Sequence, residues 1–192
     1  MSSFYDIVIS RRTVRRFREA PIPRDLLDRC INAARLAPSA SNLQPLQYIV
    51  VDDAKLLPKA YETVKWAGYL RPHGDPPEGH RPMAYIYVLK DSRNNSPWTA
   101  YDIGEAVENI TLVALAEGVG SCQFGSVDRE KVKQLFNIPD GFEVTLALAL
   151  GYVDETHAVE PYTGDPKYWR DERGVHHVPK RSLESIVHWN GF

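Results

Sequence analysis

The spacing of apolar residues along the chain predicts alternating helices and strands. Between residues 26 and 34, apolar side chains recur every three or four positions, which is typical of a helix with one buried side. Residues 99–118 keep this period for longer and predict a largely buried helix that ends at glycine. Residues 144–153 are almost continuously apolar, as in a strand that is covered on both faces. This order of elements indicates an α+β domain around a central sheet.

Shorter patterns complete the predicted element order. Ile7 and Val8 are expected to face inward from the first helix. Residues 68–82 contain four prolines and three glycines and are expected to form a loop. The other predicted elements are helices over 4–12, 55–67 and 128–136, strands over 47–51 and 84–90, and a hairpin over 168–178.

The composition is that of one globular domain, which we expect to span residues 1–192. The net charge of −2 argues against a nucleic-acid or membrane-surface role, since both usually need a broad basic field. No stretch approaches the roughly 20 apolar residues of a membrane span. The two cysteines lie far apart in the sequence, and we expect them to stay reduced in a cytoplasm. No spacing of histidine or cysteine predicts a metal site.

The segment from Arg11 to Phe17 is the most distinctive local feature. It holds four arginines and one threonine within seven residues. Arginine is well suited to bind phosphate, because its planar fork donates several hydrogen bonds and keeps its charge. The segment therefore predicts an anion site, and the alternative is a solvated basic turn, since most charge runs face water.

Three further segments carry groups that could contact a ligand. Residues 37–45 combine small residues with hydroxyls and an amide, residues 118–126 contain three glycines, and residues 180–181 are a basic pair. Each segment also has a structural explanation: a turn from helix to strand, a helix end followed by a tight connection, and a solvated pair of cations. Cys122 has no histidine near it in sequence and is interpreted as a packing residue.

Together and in this order, these segments resemble the FMN-dependent nitroreductase family. Residues 11–17 are similar to the family's opening Arg-Arg-Ser-x-Arg-x-Phe, and residues 37–45 to its Ala-Pro-Ser-x-x-Asn-x-Gln-Pro. Three further stretches resemble its long central helix with the Gly-x-Gly-Ser-Cys that follows, its last core strand and its closing segment, namely 102–123, 141–154 and 180–188. The resemblance thus covers almost the whole chain.

The resemblance implies a nitroreductase-like fold, in which helices flank a mainly antiparallel sheet and the C-terminal extension is exchanged with the partner subunit. It also implies a homodimer with one FMN per subunit, bound at the subunit interface. The phosphate, ribityl chain and pyrimidine edge would be held by Arg11, Arg12, Thr13 and Arg15 of the first segment. The flavin would be approached from the partner subunit by Pro38, Ser39, Ala40, Ser41 and Asn42 of the second segment. Lying along the ring near N5 would be Gly120, Ser121, Phe124, Gly125 and Ser126 of the third segment, and the phosphate site would be completed by Lys180 or Arg181.

The implied activity is that of an oxidoreductase that uses NADH or NADPH to reduce nitroaromatic compounds, quinones or similar acceptors. Hydride would pass through flavin N5 in two steps, so that the flavin carries the chemistry and no side chain is assigned as catalytic. Arg15, near the N1–C2 edge, would stabilise the anionic reduced flavin. Thr13 replaces the family's serine and keeps its hydroxyl.

Two alternatives stay open at this point. Relatives of the same fold fragment the flavin or remove halogens from aromatic substrates, and the chain could also be a non-catalytic FMN-binding protein. The loops over 68–82 and 157–174 are expected to roof the pocket and to decide its chemistry. Leu46 stands where the family often has an aromatic residue, which would reshape the pocket. Four side chains are candidates to line it: Tyr69, Arg71, His73 and Trp169.

Overall fold

A computed structural model describes residues 3–70, 74–94 and 96–192, so that the candidate pocket residues Arg71 and His73 lie outside the described residues. The helices are α1 (Phe4–Ser10), α2 (Arg24–Arg35), α3 (Leu57–Tyr61), α4 (Thr99–Ala116) and α5 (Arg129–Leu135). The strands are β1 (Phe17–Arg18), β2 (Leu46–Val51), β3 (Ala84–Asp91), β4 (Val119–Phe124), β5 (Phe142–Val153), β6 (His157–Pro161), β7 (Trp169–Arg170) and β8 (His176–Lys180). Within the described ranges, no helix has both the length and the apolar character needed to cross a membrane.

The chain groups into two compact units. The first unit comprises Met1–Trp66 and Pro76–Asp154, and the second comprises Ala67–Asp75 and Glu155–Phe192. Each unit has its own sheet. That the chain forms one domain remains a prediction.

The first unit is built on a five-stranded antiparallel sheet with β5 at its centre. β5 pairs with β3, with β4 and, near its end, with β1, and β2 pairs with β3. The near-continuous apolar sequence of β5 predicted this central place, because a strand covered on both faces has no side that must be polar. The predicted arrangement of helices around a mainly antiparallel sheet is confirmed.

Alternate side chains of β3 enter two separate cores. Tyr85 and Tyr87 lie in the core that includes residues of α3 and α5, whereas Ile86 and Val88 lie in the core that includes residues of α2 and α4. This division follows from the two-residue period of a strand, which sends successive side chains to opposite faces of the sheet. The sheet is therefore the middle of three layers.

Two glycines that face each other across β4 and β5 let the arginine-rich segment lie close to the sheet. Gly120 and Gly151 are register partners. A Cβ at Gly151 would stand 2.8 Å from Phe17 Cβ, and a Cβ at Gly120 would overlap Val14. Val14 and Phe17 are buried at this place, so that the space left by the glycines is filled by the segment that carries the arginines.

The helix predicted over 55–67 is too long, because only α3 forms there. Beyond α3, the Thr63 hydroxyl lies 2.7 Å from the Ala60 carbonyl and 2.8 Å from the Tyr87 hydroxyl. A side-chain hydroxyl that bonds to the preceding turn competes with the helical pattern. The helix ends before Thr63, and the chain then forms an isolated β-bridge at Val64.

The structural alternative for residues 118–126, a helix end followed by a tight connection, holds only for the helix end. Gly118 lies just beyond α4 with a φ of 76°, in agreement with the prediction that this helix ends at glycine. The chain then enters the sheet directly as β4. Six consecutive residues pair with β5. The glycines suggested a turn, whereas in the sheet they provide space for another segment.

The predicted burial of Ile7 and Val8 is wrong, because α1 has no buried residue. Phe4, Tyr5 and Ile9 are exposed as well, with 72% of Phe4 accessible. The apolar period of this helix indicated a side to be covered, and the described residues of the chain do not cover it.

The second unit contains a three-stranded sheet in which β8 is central. β8 is parallel to β6 and antiparallel to β7. β7, β8 and a turn with Gly174 at a φ of 82° form the hairpin predicted over 168–178, whereas β6 was not predicted.

We expect Gly151→Ala to lower the free energy of unfolding by about 1–3 kcal/mol, because the added methyl group must displace Phe17 from a close-packed core. Gly104→Ala is the matched control: it lies on an exposed part of α4 with no atom within 4 Å of its Cβ position. The control should gain about 0.5–1 kcal/mol from helix propensity. Denaturant unfolding of both variants measures the difference, and equal stability of Gly151→Ala and wild type would contradict the packing described here.

Candidate functional site

The arginine-rich segment lies directly beside the start of β4. The Val14 amide donates a hydrogen bond to the Ser121 carbonyl at 2.8 Å, and Thr13 forms a parallel bridge with Ser121. Gly120, the neighbouring residue, permits this approach because it has no side chain. The structure thus brings the first and third predicted segments together, and it gives Gly120 a packing role that the sequence did not predict.

The four arginines crowd positive charge into partly buried surroundings. Arg15 is buried, and Arg16 Nε is a buried donor for which the described residues supply no acceptor. Arg11 Nε pairs with Glu108 Oε1 at 3.0 Å, while about a third of the Arg11 side chain stays exposed. Burial, and then the charge of Arg11, lower the pKa of the Arg12 guanidinium. Such surroundings favour an anionic ligand, because an anion would offset both the repulsion and the desolvation of the cations.

The second predicted segment is a loop with unusual backbone geometry. Ser41, Asn42 and Gln44 have φ angles of 52°, 55° and 47°, in the left-handed region that residues with side chains rarely adopt. The Ser39 hydroxyl accepts a hydrogen bond from the Gln44 amide at 3.0 Å, which closes the loop. The tip of the loop is exposed from Ser41 onward. A strained and exposed loop of this kind points to a binding role.

Asp102, a buried carboxylate of α4, anchors this loop. Its Oδ1 accepts a hydrogen bond from the Ala40 amide at 2.9 Å. Its Oδ2 is also buried, and no hydrogen-bond donor reaches it among the described residues. Asp102 lines a cavity of about 390 Å³ together with Pro38, Ser39 and Gln44. The carboxylate therefore holds the loop and retains an acceptor for a further donor.

The rest of the third segment divides between core and surface. Phe124 is buried and meets the Trp66 ring edge-on, with 4.7 Å between the ring centroids. Cys122 is buried in the same core, which agrees with its interpretation as a packing residue. Gly125 and Ser126 are exposed. Core packing alone accounts for Phe124, and its place along a flavin ring remains a prediction.

The predicted cations near the C-terminus belong to the second unit. Lys180 ends β8, where its carbonyl accepts a hydrogen bond from the Tyr162 amide at 3.0 Å. The Arg181 guanidinium donates to the Ser185 carbonyl. Both side chains are exposed and line a cavity of about 650 Å³ that Glu160 also borders. Both cations therefore stay predicted phosphate ligands.

Two of the candidate pocket residues border one cavity of the second unit. Tyr69 and Trp169 line a space of about 520 Å³. The Tyr69 ring lies 5.1 Å from that of Tyr168, and Trp169 stacks on His177 at 5.0 Å with the planes 2° apart. An aromatic lining of this kind suits a planar ligand.

Sequence reasoning missed the two carboxylates that hold the predicted segments. Glu108 pairs with Arg11, and Asp102 binds the backbone of Ala40. Both belong to α4, a helix that is otherwise strongly apolar. Acidic residues inside so apolar a helix were the available signal, since a carboxylate in such a place needs a partner.

The comparisons with known proteins agree with this geometry. A candidate NADH dehydrogenase/NAD(P)H nitroreductase of Archaeoglobus fulgidus is 31% identical over 159 residues, covering 79% of this chain and 86% of the relative. An iodotyrosine deiodinase of Thermotoga neapolitana is 28% identical over 188 residues, covering 90% and 96%. The solved structure of an FMN-dependent nitroreductase from Clostridium difficile R20291 has the same fold, with a TM-score of 0.69, 22% identity and coverage of 98% and 99%.

The family assignment rests on the sequence pattern of the nitroreductase family, which matches residues 8–152. The matched range includes the arginine-rich segment, the strained loop, α4 and all of β5 except its last residue. It confirms the resemblance found in the sequence and the expectation of an oxidoreductase enzyme. The chain belongs to the nitroreductase family.

Proposed function

We propose that the chain is an FMN-dependent oxidoreductase that takes electrons from NADH or NADPH and passes them to nitroaromatic compounds, quinones or similar small acceptors. The crowded, partly buried arginines beside β4 carry this proposal. The names of two relatives support it, since one is named for NAD(P)H and nitroreduction and the other for FMN. When bound, FMN would supply the hydride transfer, and the chain would bind and orient it.

The residues on the first unit fit the chemical groups of FMN. Arg11 and Arg12 offer guanidinium donors to a phosphate, and the Thr13 hydroxyl can bond to the ribityl chain. Arg15 is a buried cation of the kind that stabilises negative charge on a reduced ring. The role of Lys180 or Arg181 as a further phosphate ligand remains a prediction.

We further propose that the chain acts as a homodimer in which each flavin contacts both subunits. Glu108 follows Asp102 by six residues on α4, which corresponds to about 9 Å along the helix and about 240° around it. The arginine-rich segment and the strained loop are thus fixed to different sides of one helix. This separation is expected if the two segments of one chain serve different flavins.

Exposed apolar side chains support the dimer. α1 leaves Phe4 and Tyr5 exposed, and the C-terminal segment leaves Ile186 and Trp189 exposed in the same way. Large apolar side chains that stay exposed in this way are typical of an interface. A partner subunit that receives the C-terminal extension would cover it. The cytoplasmic location expected from the cysteines remains a prediction.

Reductive dehalogenation of an aromatic substrate is a second candidate activity. The iodotyrosine deiodinase resembles this chain over 90% of this chain and 96% of its own length. A two-electron reduced flavin and protons would replace the carbon–iodine bond with carbon–hydrogen and release iodide. Iodide release from an iodophenol, measured anaerobically with reduced enzyme, separates this activity from nitroreduction.

Anaerobic addition of NADH or NADPH to the FMN-loaded protein tests the main proposal. The flavin absorption should bleach with one of the two donors and return when a nitroaromatic compound or a quinone is added. A protein that takes up no FMN would rule out the proposal, and a flavoprotein that neither donor reduces would be a binding protein.

Arg11→Ala should weaken FMN binding about 10- to 150-fold, since a charge-assisted hydrogen bond contributes about 1.5–3 kcal/mol. Arg29→Ala is the matched control, because Arg29 also forms a single 3.0 Å pair with a glutamate, Glu117, outside the proposed site. Fluorescence titration with FMN measures both. Equal losses in the two variants would mean that Arg11 acts only through its ion pair.

Asp102→Ala should also weaken FMN binding, by about 5- to 30-fold, because the strained loop loses the acceptor for the Ala40 amide. Asp102→Asn keeps an oxygen at that position and should recover most of the affinity. The FMN affinity and the melting temperature are measured side by side. If Asn recovers no more affinity than Ala, the hydrogen bond to Ala40 does not position the loop for the flavin.

A further inference from the structure

Three potential metal ligands from separate parts of the sequence meet on one face of the second unit's sheet. His157 of β6 and His176 of β8 are register partners, so their side chains leave the parallel pair on the same side. Glu155 lies two residues before His157. The nitrogen and oxygen atoms that these three side chains offer all lie within 4.8 Å of one another.

The separation of the donor atoms suits a small cation. His157 Nε2 and Glu155 Oε1 are 3.4 Å apart. Bonds of about 2.0–2.1 Å from a tetrahedral zinc ion to nitrogen and oxygen place two ligand atoms about 3.3–3.4 Å apart. This pair therefore needs no rearrangement, and the donor atom of His176 lies within 4.8 Å of both.

The surroundings of the cluster also suit a bound ion. The Glu155 side chain is only 1% exposed, and His176 is buried. Two imidazoles and one carboxylate form a donor set that suits divalent transition metals better than it suits calcium or magnesium. A site closed to solvent in this way points to a structural ion rather than a surface association.

We propose that Glu155, His157 and His176 bind one divalent transition-metal ion, with Zn²⁺ as the reference ion, and that the ion joins β6 to β8 within the second unit. This inference is independent of the proposed flavin chemistry. No covalent or redox step is involved.

Arg170 orients the carboxylate of this site. It is the register partner of His176 on the other side of β8, and its Nη2 lies 2.6 Å from Glu155 Oε2. Its hydrogen bond fixes Oε2 and leaves Oε1 on the side of His157, as outer partners of metal-binding carboxylates do. The guanidinium charge opposes the cation. We therefore expect this charge to lower the affinity for the ion, which a titration measures after a chelator has removed any bound metal.

His177 provides a matched control on the same strand. It follows His176 directly, and its side chain leaves β8 on the opposite face. There its ring nitrogens lie 2.7 Å from Glu160 and 3.3 Å from Asp171. Both ring nitrogens of His177 are thus engaged by carboxylates on the face opposite to the proposed site.

The test is a titration of the full-length, FMN-loaded protein with Zn²⁺ after dialysis against a chelator. Isothermal calorimetry should give one ion per chain for wild type and for His177→Gln. His157→Gln and His176→Gln should each lower the affinity at least 10-fold, on the order of the effect of losing even an outer partner. FMN content and circular dichroism report whether each variant is folded, so that a failure of the flavin proposal is seen separately.

Other results would overturn the inference. No binding to wild type, the same affinity in all variants, or an equal loss in His177→Gln would each exclude this site. If the ligand variants do not fold, X-ray absorption of the zinc-loaded wild type decides the question. Two imidazole ligands are expected there, and fewer than two would overturn the proposal.

Discussion

The absence of side chains at Gly120 and Gly151 is the constraint on which the candidate flavin site depends. The two glycines face each other in the sheet, and the space above them is filled by Val14 and Phe17. Because these two apolar residues are buried, the arginines between and beside them are held at the sheet rather than left on a mobile terminus. The packing of these two apolar side chains thus offsets the unfavourable crowding of positive charge.

Helix α4 adds the second constraint by fixing two segments through carboxylates. Glu108 engages a cation, whereas Asp102 engages a backbone amide of a loop that would otherwise relax from its left-handed geometry. A rigid, largely buried helix is a better reference for such positions than a loop, because its carboxylates move with the core. Both segments of the candidate site are thus fixed in position by α4.

The sequence predicted the parts of this molecule in which local pattern and tertiary place agree. The apolar run of β5 and the periodicity of α4 were sufficient for both elements, and the order of short motifs was sufficient for the family. The sequence did not predict the role of residues that act through a contact with a residue distant in the sequence. Gly120 lies in a strand and makes room for Val14, which is more than 100 positions away, and Thr63, just beyond the end of α3, bonds to Tyr87. The adjacent His176 and His177 turned out to face opposite sides of a strand, while His157 joins His176 from a strand that the sequence did not predict.

The central place of β5 also has a consequence for the order in which the chain can fold. β3 is complete at Asp91 and pairs on one edge with the earlier β2, but the strand that pairs with its other edge begins only at Phe142, and β4 and β1 need the same strand. During synthesis, β3 therefore emerges with one edge unpaired and apolar residues on both faces, until about fifty further residues have been added. Pairings of such long sequence separation form slowly and leave the nascent chain prone to aggregation. We expect the cell's holding chaperones to matter more for this chain than its modest size would indicate.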